Sequence, residues 1–343
     1  MKFIYLLYLI RKTKLKKLFA FIHHVKKLKK TNSFSIFFRM LYCFIKYNTA
    51  FLDYFFLEFY NKEKEEIATY SDTLFMYRFQ SKLNDGDSIS FFSDKKKFYK
   101  KFENYINHEI FLPNQNNIDD FKTWLGIQTP KSIIVKYSEG QVGSGLQKFQ
   151  IKEENGIYLF NDNTLDDFYK KLIEQKLDII EVNIEQHPVL KSFHLDSLNT
   201  IRVITVLNQH ERVNILGTIL RMGVQGNFID NFDAGGVSAV VNTETGVVEG
   251  PILYKDPRKK IERALLHPTT NAQVLGVALP FWNELINLVK ELAMVMPQVK
   301  TVGWDIAITE KGPVLLEGNH NWDKTHWQKS YGKGMKSVLK SYQ

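Results

Sequence analysis

The chain has 343 residues, 44% of them hydrophobic, enough for a sizeable core in one large domain or two to three smaller ones. Its single cysteine, Cys43, excludes an internal disulfide framework and any multi-cysteine zinc site, and it is consistent with a reducing compartment. The formal net charge is +9, yet residues 1–50 alone hold twelve Lys/Arg and no Asp or Glu, so the basic character belongs to the N-terminal segment and not to the bulk of the chain.

In that segment Leu15, Leu18, Phe19, Ile22, Val25 and Leu28 recur at helical spacing, with Lys14, Lys16, Lys17, Lys26, Lys27, Lys29 and Lys30 between them. This pattern predicts a basic amphipathic helix. Three roles fit it. Residues 1–48 would meet an anionic membrane surface, each nearby Lys or Arg contributing about 1 kcal/mol. Alternatively the lysines form a solvated face on a helix packed against the main domain. A nucleic-acid-binding arm is the third role, and the absence of any nucleic-acid motif argues against it. A second apolar block, Phe34 to Tyr60, is interrupted by Arg39 and Lys46 and offers no run near the ~20 residues of a spanning helix. Phe3 to Ile10 is short for a signal peptide, and no small-residue cleavage site follows.

The polar run Ser81-Lys82-Leu83-Asn84-Asp85-Gly86-Asp87 breaks the helical texture. Residues 95–110 read as an amphipathic helix with Phe98, Phe102, Tyr105 and Ile106 on one side, and Pro113 opens an Asn-rich loop. From Ser132 short strands take over: Ile133-Ile134-Val135, Ile179-Ile180, Ile201–Leu207 and Val213–Leu220. Thr164 caps a helix carrying Leu165, Phe168, Leu172 and Ile173. Phe281 to Met296 forms another, with Phe281, Leu285, Leu288, Val289, Leu292 and Met296 on one stripe. This order predicts an α+β fold with mostly antiparallel sheets, divided at 1–75, 76–130, 131–190 and 191–343.

The most informative stretch runs from Gly303 to Asn319 and reads as two strands around a turn. Alternation puts Asp305, Ala307 and Thr309 on one face of the first strand, and Leu315, Glu317 and Asn319 on one face of the second. With the turn centred on Lys311, Asp305 lies opposite Glu317. Opposed like charges repel, so two carboxylates and an amide oxygen on one patch suggest an oxygen-only cation site of the kind Mg²⁺ occupies. The alternative is a surface hairpin with solvated acids.

Lys136 ends an apolar strand and is followed by a glycine loop that includes Gly143, Ser144 and Gly145, apt for phosphates or for a plain hairpin turn. Beside a Mg²⁺ site, such a loop implies a nucleoside triphosphate. Glu181, Val182 and Ile184 follow a strand and offer an extended backbone for a base, or form an ordinary strand exit. Arg202 and Arg221 lie on neighbouring strands among apolar residues. A buried Arg needs an anion, either a core carboxylate or a phosphate. Asn231, Gly235 and Gly236 belong to a second glycine turn, suited to a substrate carboxylate or a phosphate. His187, His194 and His267 read as isolated structural histidines.

In this order the elements resemble the ATP-grasp superfamily. More closely, Ser197-Leu198-Asn199-Thr200-Ile201-Arg202-Val203, Asn231-Phe232-Asp233-Ala234-Gly235-Gly236, His267-Pro268, Gly303-Trp304-Asp305-Ile306-Ala307 and Gly312-Pro313-Val314-Leu315-Leu316-Glu317-Gly318-Asn319 resemble the sugar-transfer-associated ATP-grasp proteins, which are encoded with bacterial surface-polysaccharide machinery. The arginine and glycine order is also similar to that of the ribosomal-protein glutamate ligases. The resemblance implies that Lys136 and Lys95 contact ATP phosphates. Glu181 and the backbone of Val182 and Ile184 would hold adenine. Asp305, Glu317 and Asn319 would bind two Mg²⁺ ions, and Arg202 and Arg221 would meet the transferred phosphoryl group. An acidic ribose ligand has no match here, and Asn199 or Thr200 stands nearby. The arginine that many ligases place before the metal aspartate is replaced by Gly303-Trp304.

The implied reaction is ATP-dependent carboxylate–amine ligation. Its substrates would be a glycan or lipid-linked sugar carboxylate, such as a uronic acid, and an amine or amino acid. The implied location is the bacterial cytoplasm, peripheral at the inner membrane face. Two rivals are a sugar-kinase-like phosphoryl transfer on the same fold and a non-catalytic assembly factor.

Overall fold

The computed structural model describes residues 13–113, 118–138, 145–154, 157–225, 230, 232–261 and 263–343. The expectations on Phe3 to Ile10, Gly143, Ser144 and Asn231 fall outside these residues.

The N-terminal helices are Leu15–Lys29 (α1) and Ser33–Tyr47 (α2). Asn32 caps α2 by accepting a bond from Ser35 N–H at 2.7 Å. The spacing of Leu18, Phe21, Ile22 and Val25 turns one face of α1 inward, where it meets Ile36, Met40, Cys43 and Phe44 of α2 and the aromatic run Tyr54 to Tyr60. Half of the apolar stripe read from α1 is therefore a core face. Of its six residues, Leu18, Ile22 and Val25 are buried, while Leu15, Phe19 and Leu28 remain exposed.

This helical unit is joined to the rest of the protein by ion pairs whose lysines are buried. Lys324 Nζ lies 2.8 Å from Asp53, and Lys329 Nζ reaches Glu58 at 3.2 Å and the Phe56 carbonyl at 2.7 Å. The Gln328 side chain bonds both ways with Ser71, accepting at 2.7 Å and donating at 3.1 Å. The Arg258 guanidinium stacks 4.4 Å over the Phe21 ring.

Two six-stranded sheets carry the remainder. The first joins β1 (Ile110–Phe111), β2 (Ser132–Lys136), β3 (Gln147–Glu154), β4 (Ile157–Phe160), β5 (Asn163–Thr164) and β6 (Ile179–Val182) in the order β1-β6-β2-β3-β4-β5. The second joins β7 (Thr200–Leu207), β8 (Val213–Met222), β9 (Val237–Val241), β10 (Val248–Tyr254), β11 (Thr301–Thr309) and β12 (Gly312–Asn319) in the order β10-β9-β8-β7-β11-β12. All these pairings are antiparallel. The expected α+β fold with antiparallel sheets is thus the observed one.

The helix Trp282–Val295 lays Leu285, Val289 and Leu292 on the second sheet, each such side chain contributing about 1.5–3 kcal/mol by leaving water. Trp304 anchors the opposite segment, with its ring 5.6 Å from Phe102 and 6.0 Å from Phe92 and its indole N–H donating to Thr205 at 2.9 Å.

Two expectations need correction. The helix read over 95–110 stops at Lys101. Phe102, at φ −106° and ψ 21°, leaves helical geometry and a 3₁₀ turn over Glu103–Tyr105 follows. The polar run from Ser81 does not break a helix at its start. Helix Thr73–Leu83 continues through Leu83, and Asn84 ends it by turning its amide to the Thr301 and His320 carbonyls at 3.1 and 3.0 Å.

Candidate active site

The β11–β12 hairpin positions the acids. Below Asp305 the strands run in one register, Thr309 opposite Gly312 and Ile306 opposite Leu315. A bulge then inserts Leu316 into β12, and only this shift brings Glu317 opposite Asp305. Without it Leu316 would occupy that place. The bulge also overturns one expectation. Leu315 does not share a face with Glu317 and Asn319 but packs with Trp304, Ile306 and Ile308 in the core.

Asp305 is buried and held by two guanidinium groups. Arg202 grips it with Nε at 2.5 Å from Oδ1 and Nη2 at 2.7 Å from Oδ2, and Arg221 Nη1 reaches Oδ1 at 2.8 Å. Burial alone would raise the Asp305 carboxyl. Arg202 and Arg221 more than offset it and hold the group well below the usual carboxylate range. Glu317 stands the other way, with burial and the Asp305 charge raising its carboxyl. The Asn319 amide N–H₂ points at both acids, 3.4 Å from Asp305 Oδ2 and 3.2 Å from Glu317 Oε1.

Gly303 has a steric reason. A Cβ there would lie 2.8 Å from the Trp322 Cβ and 3.1 Å from the Arg202 Cδ, so the arginine stem crosses the strand where only glycine leaves room.

Both arginines are paired with core carboxylates. Arg221 also donates through Nη2 to Asp230 Oδ1 at 3.0 Å, and the Thr200 hydroxyl donates to Asp230 Oδ2. Asp230 was not singled out from the sequence. Its only signal is an acid at the entry to the glycine turn, and its role depends on a neighbour nine residues away. That turn is itself structural at Gly236, whose added Cβ would strike the Asp230 and Met222 carbonyls at 2.6 and 2.8 Å. Gly235 sits beside it at φ +103°. Next to the turn Lys255 Nζ bridges Asp233 at 2.6 Å and Asp323 at 2.9 Å.

The first sheet supplies a second cluster. Lys136 Nζ lies 2.7 Å from Glu181 Oε1, and the Tyr99 hydroxyl donates to the same oxygen. The Lys136 ammonium also rests 5.6 Å over the Tyr99 ring. Burial alone would raise the Glu181 carboxyl, but Lys136 and His108 hold it well below the usual range. Lys95 opens the helix capped by Asp94. Burial lowers its ammonium pKa, while the charges of Glu317 and Glu181 favour its charged form.

The Glu181 side chain thus turns into the lysine cluster. The Val182 N–H donates to the Glu109 carbonyl at 3.0 Å, and Ile184 follows on the exit from β6. Asn199 is fully buried, its amide bonded to Gln186 at 3.0 Å and to the Leu190 and His194 carbonyls at 2.8 and 3.1 Å. It braces the 186–199 loop instead of facing a ribose. Gly145 takes φ +77° against the Tyr137 ring at the end of the glycine loop.

Lys136 stands on one sheet and the acids with their arginines on the other, and a sequence match decides what this combination is. Residues 74–343 match the description sugar-transfer associated ATP-grasp. The chain belongs to that family. No curated protein sequence matches the chain. Among solved structures it is similar to the D-cycloserine synthetase DcsG, with 10% identity, TM-score 0.43, and coverage of 76% of this chain and 74% of that one. It is similar to D-alanyl-alanine synthetase A from Vibrio cholerae at 12% identity, TM-score 0.43, with 74% and 64% covered. It is also similar to the VanG D-Ala:D-Ser ligase from Enterococcus faecalis at 12% identity, TM-score 0.44, with 75% and 62% covered. The chain spans less than two thirds of the length of these last two.

An ATP-grasp protein uses ATP with Mg²⁺, and the residues fit that pair. Asp305, Glu317 and the Asn319 amide, once turned, make an oxygen-only donor set for a hard dication. The raised Glu317 carboxyl, partly buried beside the Asp305 charge, is an acid that a cation would relieve. Lys95, whose charge Glu317 favours, and Lys136, on the neighbouring cluster, are the candidate ammonium groups for phosphate. A cation at Asp305 competes with the Arg202 fork, so loading this site requires that fork to loosen.

The expected structural histidines are not isolated from one another. The His194 and His267 rings lie 5.5 Å apart. His267 donates from Nε2 to the Gly223 carbonyl at 2.8 Å, and burial pushes its imidazole down to about 4. Between pH 6.5 and 4 the unfolded chain binds this proton and the fold does not, so stability falls as pH drops through that window. The His267→Gln variant is expected to flatten the stability–pH slope there by up to about 1.4 kcal/mol per pH unit, read from urea midpoints. Parallel curves would contradict this placement.

Proposed function

We propose that the protein is an ATP-dependent carboxylate–amine ligase that amidates a uronic acid of a surface polysaccharide or its precursor with an amino acid or another amine. The reading rests on one arrangement: the opposed carboxylates Asp305 and Glu317 on neighbouring strands, with Arg202 and Arg221 both bonded to Asp305. The family's association with sugar transfer supports a glycan as the acceptor.

In this reading Lys95 and Lys136 hold the nucleotide phosphates. A substrate carboxylate oxygen attacks the γ-phosphorus, ADP leaves, and an acyl phosphate forms. The amine nitrogen then attacks the acyl carbon, inorganic phosphate leaves, and the amide remains after loss of a proton. Arg202 and Arg221 face the charge that gathers on the transferring group, so that catalysis consists of positioning and fixed electrostatics. Mg²⁺ at Asp305, Glu317 and Asn319 would neutralise phosphate charge.

The test is ADP release by the full chain with Mg²⁺ and ATP across a matrix of uronic acids and amines. Release that needs both partners, with an amide and inorganic phosphate as products, is the expected result. A phosphoester product would transfer the protein to the sugar-kinase reading.

A further inference from the structure

The helix α2 is apolar on two opposite faces, and only one of them is covered. Ile36, Met40, Cys43 and Phe44 face the N-terminal core. Phe34, Phe38 and Ile45, spaced four and seven residues apart, run along the other side and remain 75%, 62% and 56% exposed. A helix hydrophobic all round is normally buried all round. Among the described residues nothing covers this stripe, and exposed apolar stripes of this kind mark contact surfaces.

The charge of the same helical unit favours one partner. Residues 13–50 contain nine Lys/Arg and no Asp or Glu. On α1 and the turn after it, Lys26, Lys27, Lys29 and Lys30 are exposed. A second copy of the chain would bring the same positive surface against this one and be repelled. An anionic bilayer offers an apolar layer for the phenylalanines and negative headgroups for the lysines. No helix among the described residues is long and apolar enough to cross a membrane, so the contact would lie in the interface plane.

We infer that the outer stripe of α2, with the lysines of α1, is a docking surface for an anionic membrane. This goes beyond the ligase reading and does not depend on it. The inward α1 stripe plays no part in it. Through Lys324–Asp53 and Lys329–Glu58, the docked helices would carry the catalytic sheets in a fixed orientation to the bilayer.

Point substitutions in the full chain test this, because residues 18–44 supply core side chains and their deletion would expose the core. Co-sedimentation is measured with vesicles of phosphatidylcholine alone and of phosphatidylcholine with phosphatidylglycerol. The wild-type chain is expected to prefer the anionic vesicles and to be released by salt. Phe34→Ser and Phe38→Ser are each expected to lower partition by roughly tenfold. Lys26→Glu with Lys27→Glu should weaken it further, and circular dichroism should be unchanged in all variants. A Phe38→Trp reporter should shift its emission to the blue on anionic vesicles only. Wild-type partition in both phenylalanine variants overturns the inference, whether residues 1–12 or another surface then carries the binding. A change of oligomeric state on Phe38→Ser without any change in vesicle binding also overturns it, in favour of a protein partner.

Discussion

Glu317→Gln is expected to lower ATP turnover by about 10²–10³-fold, the scale for removing one electrostatic stabiliser of a transition state, while making the fold more stable. The stability half follows from the sign of its titration. Burial and Asp305 raise the Glu317 carboxyl above its unfolded value. Its folded form therefore binds a proton more tightly than the unfolded chain does, and stability falls as pH rises through that interval. A glutamine keeps the shape and removes the charge, so the gain in Tm should be larger at pH 8 than at pH 4. A purely structural acid would not give lower activity together with higher stability. That combination marks a site in which repulsion is kept for a cation to relieve. Equal turnover, or a lower Tm at pH 8, would show that Glu317 is an ordinary buried acid.

The second large effect concerns Arg221. Its guanidinium is buried between Asp305 at 2.8 Å and Asp230 at 3.0 Å, which keep it charged against the burial penalty. Arg221→Met leaves two buried carboxylates short of a partner, and removing one member of a buried pair costs about 3–5 kcal/mol. Arg202→Met should cost less, because Arg202 is partly solvated and Asp305 keeps Arg221. Urea midpoints of the two variants give the comparison. A smaller loss for Arg221 than for Arg202 would contradict the network.

The sequence carried the hairpin well because strand alternation is local. Asp305 and Glu317 were placed opposite each other from their spacing alone, and the pairing holds. The route differs, since the two-residue turn and the Leu316 bulge together give a register that a symmetric turn about Lys311 imitates. Bulges have no residue signature of their own here, and so Leu315 was assigned to the wrong face. The helix after Thr164 and the one over Trp282–Val295 were equally legible, through a capping side chain and a 3.6-residue period.

What the sequence hid is long-range. Asp230 as the counter-ion of Arg221, Tyr99 on Glu181, and the Lys324–Asp53 clamp join residues that share no local pattern. The N-terminal helices left alternatives open for another reason. Amphipathic periodicity in α1 identifies a face that must be covered, but protein core and membrane satisfy it equally. The exposed stripe of Phe34, Phe38 and Ile45 lies on α2, opposite its core face.

The central claim is that Asp305, Glu317 and Asn319 hold the cation that accompanies ATP. Calorimetric titration of ATP into the wild-type and Glu317→Gln chains, with Mg²⁺ and with chelator, tests it most directly. Mg²⁺ is expected to tighten ATP binding to the wild type by at least about tenfold, the low end of the about 1.5–3 kcal/mol scale of a charge-assisted contact, and to leave the variant unchanged. Equal tightening in both chains would contradict it.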